Sequence, residues 1–141
     1  MIKKEADYDS FDIEYEWGND REFNVLQGQT ITNAFSSSGE IIFATSEGYE
    51  YRMFHDQECC ESVDIESIVG DLSDLIGQEI ILAEERASSE KQSWETKEED
   101  MYVHFTWTFY TIRTLKTSID IRWYGESNGY YSETVTLRRT K

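Results

Sequence analysis

From Phe11 to Trp17 the chain alternates without exception: Phe11, Ile13, Tyr15 and Trp17 are apolar, and Asp12, Glu14 and Glu16 between them are acidic. That period of two is the mark of a half-buried strand with one acidic face. Residues 30–35 and 41–45 are short β-rich runs separated by Ser36, Ser37, Ser38 and Gly39, and a turn at Glu47 and Gly48 leads into residues 49–55. Together they predict a three-stranded meander. Val63 and Ile65 allow a brief strand. The one helical signal covers residues 71–76, with Asp71 as N-cap, Asp74 three residues on, Leu72, Leu75 and Ile76 on one face, and Gly77 as the stop.

Residues 80–83 form an apolar run of strand length, whereas residues 84–100 are charged, contain serine and lack apolar periodicity, which predicts a loop centred on residues 87–101. The pattern then sharpens. Val103, Phe105, Trp107 and Phe109 alternate with His104, Thr106, Thr108 and Tyr110 in what reads as the longest strand. Ile119, Ile121 and Trp123 alternate with Asp120, Arg122 and Tyr124, and beyond the loop at 125–129 come Tyr131, Val135 and Leu137. This half predicts a second antiparallel meander. The fold class expected is α+β but strand-dominated, with meander sheets of about seven or eight strands and one short helix. A chain of 141 residues fits one domain, 1–141, with residues 1–23 as an acidic N-terminal strand or arm.

Charge narrows the choice of partner. Lys and Arg number 13 against 29 Asp and Glu, a formal net charge of -16. A phosphate backbone is bound by clustered cations that displace its counterions, and here the basic residues gather only at Lys3 and Lys4 and at Arg138, Arg139 and Lys141. Direct nucleic-acid binding is therefore disfavoured, and a basic or nucleic-acid-binding protein is the expected partner. No apolar run approaches the ~20 residues that cross a bilayer, and Lys3 and Lys4 precede acidic residues rather than a signal-peptide core, so no membrane role is expected. The cysteines, Cys59 and Cys60, are adjacent, and bridging them needs a strained small ring. Two free thiols and a reducing, cytoplasmic setting follow as the expectation. Without proline, edge strands must be protected by charge, as on Asp12, Glu14 and Glu16 or the Glu84 and Glu85 pair.

Three stretches carry candidate chemistry. Gly125-Glu126-Ser127-Asn128-Gly129 matches the G-x-S-x-G pattern of hydrolase nucleophile elbows, but an elbow needs a helix after the serine. Residues 130–137 alternate like a strand, and Asn128-Gly129 is a hairpin signal. A turn whose Glu126, Asn128, Tyr130 and Tyr131 form a contact surface is the better reading. The stretch His55-Asp56-Gln57-Glu58-Cys59-Cys60-Glu61 could supply a zinc site, a Cys-His nucleophile pair, or a packed cysteine beside a hydrogen-bonded imidazole. Zinc lacks ligands there, since adjacent residues of an extended segment point opposite ways, and no third orienting group marks a catalytic pair. No catalytic residue, metal or cofactor is assigned, and His55, Cys59, Cys60, Glu61 and Trp123 stand as a possible pocket. The acidic strand is the third. Its carboxylates, roughly 6.5 to 7 Å apart, are about twice the axial charge spacing of a DNA strand, which would suit a groove built for nucleic acid.

Phe43, the motif His55-Asp56-Gln57-x-Cys59-Cys60-Glu61, Val63, Gly70-Asp71-Leu72, Asp74-Leu75-Ile76-Gly77, and Trp123-x-Gly125-x-Ser127-Asn128-Gly129-Tyr130-Tyr131-Ser132-Glu133 with Val135 resemble a family of small uncharacterised bacteriophage-encoded proteins over residues 24–138. The resemblance implies a phage or prophage origin and action in the cytoplasm of an infected bacterium, and it assigns no activity. The function expected is that of a non-enzymatic accessory protein that inhibits a host protein, such as a CRISPR or restriction component, through Asp12, Glu14, Glu16 and the aromatic loop. The alternative is a small-molecule or nucleotide-binding domain with its pocket between His55 and the 123–131 loop.

Overall fold

A computed structural model of the chain describes residues 18–92 and 103–141. In chain order its strands are β1 (Asp20–Arg21), β2 (Ile31–Ser37), β3 (Glu40–Thr45), β4 (Glu50–Phe54), β5 (Ser62–Val69), β6 (Leu82–Gln92), β7 (Val103–Arg113), β8 (Ser118–Ser127) and β9 (Thr136–Arg139). They build two antiparallel sheets, one of five strands in the order β1-β9-β4-β3-β2 and one of four in the order β5-β8-β7-β6. The inner faces of both sheets feed one buried cluster, with Ile31, Phe43, Tyr51 and Met53 from the first and Ile112, Ile119, Ile121 and Trp123 from the second. Phe23, from a 3-10 turn at Phe23–Leu26, touches the rings of both Phe43 and Tyr110.

The meander expected over residues 30–55 is present as β2, β3 and β4. Three other elements differ from the sequence reading. The segment 71–76 holds only a 3-10 turn, Leu72–Leu75, between Gly70 and Gly77, both at positive φ. A span that short cannot repay helix nucleation. Asp71 does cap it, but its carboxylate accepts from the backbone N–H and hydroxyl of Ser73 rather than pairing with Asp74. The loop expected over 87–101 is a strand as far as Gln92, paired residue for residue with β7. Ladder hydrogen bonds to a neighbour supply the order that side-chain periodicity does not display. Residues 93–101 of that expectation lie outside the described residues, as does the acidic strand with Asp12, Glu14 and Glu16.

The third difference concerns the C-terminal meander, which stops at β8. That strand already has β5 on one edge and β7 on the other, so no edge is free for a strand that follows it. The chain therefore leaves the sheet and enters the other one, where β9 lies between β4 and β1.

The face that β7 turns inward is set by its neighbour. Tyr110 pairs with Ile121, Ile112 with Ile119 and Thr108 with Trp123, and all six are buried. Because side chains alternate, this register places Phe105, Trp107 and Phe109 on the outer face of the sheet, and His104, Thr106 and Thr108 on the inner one. The polar series of the strand is interior and the aromatic series is not.

Candidate functional site: two buried carboxylates and a polar cleft

The His55 to Glu61 stretch folds around its last residue. Glu61 is buried, and its carboxylate accepts hydrogen bonds from the backbone N–H of Glu58 at 2.7 Å and of Cys59 at 2.9 Å. His55 Nε2 lies 2.7 Å from the same group, and Nδ1 lies 2.7 Å from the Thr134 carbonyl. Both ring nitrogens thus face acceptors, which an imidazolium satisfies by donating twice. The Gln57 amide donates to the Glu61 carbonyl at 2.6 Å and closes the loop. Burial raises the Glu61 pKa, but the N–H donors of Glu58 and Cys59 and the His55 ring outweigh it and hold the group down at about 2.

Cys59 and Cys60 are bonded to each other through their sulfurs, and neither is a free thiol. This overturns the expectation of two reduced cysteines: the covalent bond closes a ring within one dipeptide, and the argument for a reducing setting loses that support. With both sulfurs joined and both His55 nitrogens engaged, the arrangement offers no thiolate–imidazole pair.

A second buried carboxylate, Glu133, lies close by in the fold. It accepts from the Thr106 hydroxyl at 2.6 Å and from the Ser127 hydroxyl, and His104 Nδ1 is 3.1 Å from each of its oxygens. The G-x-S-x-G serine is therefore a donor to Glu133, and its own oxygen accepts from the Gly129 N–H. No helix follows it, so the nucleophile-elbow geometry is absent. Beside Glu133 a cleft of about 320 Å³ opens between the inner face of β6 and β7 and the segment after β8, lined among others by Glu85, His104, Thr106, Thr108 and Tyr131. Burial raises the pKa of Glu85, against a hydrogen bond from Tyr110, and the charge of Glu22 raises it further.

The two motif-bearing stretches do meet. Ser62 pairs with Glu126 and Val63 with Gly125 across β5 and β8, and His55 reaches Thr134. A Cβ at Gly125 would lie 3.0 Å from Val63 Cγ2 and 3.1 Å from Glu133 Cβ, so the two stretches pack closely there. Within the expected contact loop, Asn128 and Tyr130 are exposed, Glu126 is half-buried, and Tyr131 lines the cleft. Trp123 departs from expectation. It is 1% exposed and belongs to the core, and its indole N–H has no partner among the described residues. The strict alternation Ile119, Ile121, Trp123 carried that information. Thr106, Thr108 and Glu133 were not marked as site residues in the sequence, and His104 enters it only as one of too few ligands for zinc. The signal for Glu133 was its place as the acidic end of the Ser127 to Glu133 motif, matching Glu61 at the end of the other.

The outer face of the second sheet is a further feature. Trp107 lies 4.5 Å from Tyr124 and stacks with Phe109 at 6.4 Å and 12°, and Phe105 is 5.9 Å from Tyr124. The guanidinium of Arg122 sits 5.3 Å above Trp107 and that of Arg86 5.8 Å above Phe109. All four rings are half-buried.

The sequence pattern of a domain of unknown function, DUF7448, matches residues 24–137. The chain belongs to the DUF7448 family. The matched span of this DUF7448 domain takes in β2 to β8, both buried carboxylates and the cleft. No curated protein and no solved structure was found to match the DUF7448 domain.

Proposed function

We propose that this DUF7448 domain is a non-enzymatic accessory protein of bacteriophage origin that binds and inhibits a basic, nucleic-acid-handling host protein, a defence component of the CRISPR or restriction type, in the bacterial cytoplasm. The observation that carries the reading is the outer face of the second sheet, where Phe105, Trp107, Phe109 and Tyr124 form a continuous aromatic row between Arg86 and Arg122. Trp, Tyr and Arg are the residues that anchor protein interfaces, and a half-buried row of them is costly to leave facing water. A formal net charge of -16 selects a basic partner and speeds its approach at low salt.

The test is capture from a bacterial host lysate at low and moderate salt by the tagged protein, by a Trp107→Ala/Tyr124→Ala variant, and by a variant with Asp12, Glu14 and Glu16 changed to the amides. A basic nucleic-acid-handling protein that is retained by the parent, weakened by salt and lost on the aromatic variant supports the reading. Retention equal at both salts and in both variants overturns it.

A further inference from the structure

We propose that the cleft beside Glu133 is a binding site for an organic cation, an alkylammonium or alkylguanidinium group. The proposal does not rest on the aromatic face or on any partner for it. Its starting point is a mismatch between place and chemistry. The inner face of β7 is core at Ile112 and Tyr110, yet toward the other end of the strand the same face carries Thr108, Thr106 and His104. Polar groups in such a place are tolerated when each has a partner. Thr106 and His104 have Glu133. Thr108 is 4% exposed and lines the cleft, and its hydroxyl has no hydrogen-bond partner among the described residues. A hydroxyl with one proton and two lone pairs, held at the wall of a cleft, is an open half of a contact.

The charge of the lining decides what completes it. Among the described residues that line the cleft, two carboxylates, Glu85 and Glu133, and one imidazole are the ionisable side chains apart from the Tyr131 phenol, with no Lys or Arg. Even with a proton on both nitrogens of His104, the described lining keeps net negative charge when both carboxylates are ionised, and the nearby charge of Glu22 adds to that field. Phosphate is repelled by such a wall, so nucleotides are poor ligands for it. A cation gains from the carboxylates, can donate to the Thr108 oxygen, and meets the ring of Tyr131. The volume, about 320 Å³, is at the small end of ligand sites and suits an extended amine rather than a large heterocycle.

The test is a titration of the full-length 15N-labelled protein with agmatine, with cadaverine, with Nα-acetyl-lysine methylamide as a peptide-borne ammonium, and with AMP. Saturable shifts around Thr108, Tyr131 and Glu133 with any of the three cations, weakened by roughly tenfold or more in Glu85→Gln and in Thr108→Val, support the site. Saturation by agmatine or cadaverine alone marks a free small molecule as the ligand, and saturation by the lysine derivative marks a side chain presented by a protein. Glu133→Gln is a third variant, and if it does not fold, Glu85→Gln and Thr108→Val decide. Absence of saturable shifts with every cation, binding unchanged in both variants, or preferential binding of AMP overturns the proposal.

Discussion

His55 and Glu61 meet at 2.7 Å, imidazole Nε2 to carboxylate oxygen, and the glutamate holds two backbone N–H groups at the same time. The folded-state pKa of Glu61, about 2, lies below its ordinary value of 4.5. A depressed carboxylate contributes stability that is fully present above the ordinary value and is lost as pH falls toward the folded one. Acid unfolding followed by circular dichroism is therefore expected to show the parent losing stability between pH 4.5 and about 2 more steeply than Glu61→Gln, which is less stable at neutral pH. Parallel pH profiles for the two proteins would contradict this.

The two tryptophans Trp107 and Trp123 sit on opposite faces of the second sheet, and their substitutions should separate accordingly. Trp123→Ala opens a cavity in the core and is expected to cost about 3–5 kcal/mol in urea unfolding. Trp123→Phe costs less, because it also removes an indole N–H that has no partner among the described residues. Trp107→Ala, at the half-buried outer row, is expected to cost roughly 1 kcal/mol. Equal losses at the two positions would place Trp107 in the core.

Gly70 has φ +108°, and a Cβ built there falls 2.7 Å from Ile119 Cδ1 and 3.0 Å from the Ser118 carbonyl oxygen. Gly70→Ala suffers both the backbone strain and the contact, and a loss of roughly 1–3 kcal/mol is expected. At Gly77, also at positive φ but with open space around it, only the conformational part remains, so Gly77→Ala is the milder change. Thermal melts of the two variants check the order.

The joined sulfurs of Cys59 and Cys60 predict that alkylation of the protein after unfolding without reductant labels neither cysteine, and that labelling of both follows reduction. Mass spectrometry reads the result. Immediate double labelling would show two thiols.

How much of this the sequence displays differs between elements. β2, β3 and β4 are legible because turn residues at Ser36 to Gly39 and at Gly48 bracket runs of strand length. The inner face of β8 is legible in Ile119, Ile121 and Trp123, whose alternation matches their burial. β6 beyond Ala83 is not, since Glu84 to Ser88 show no apolar period and are ordered by pairing with β7. The orientation of β7 is misleading for a related reason. Its aromatic series is the more hydrophobic, but the register with β8 is fixed by Ile112, Tyr110 and Thr108 opposite Ile119, Ile121 and Trp123, and a register is a property of two strands. The cleft follows from that inversion and could not be read from either strand alone. Part of the candidate site was visible, as the His55 to Glu61 stretch and Tyr131 were marked, while Thr108 and Glu133 gain their roles from neighbours far away in sequence.

The placement of β9 between β4 and β1 also bears on how the protein is made. β1, among the first described residues, pairs with β9, among the last, and β4 waits through four intervening strands for its second neighbour. The five-stranded sheet thus cannot close before Thr136–Arg139 have been made, and until then β4 keeps a bare edge. An edge left open for that long is exposed to wrong partners, so the yield of folded protein should depend on chaperone supply.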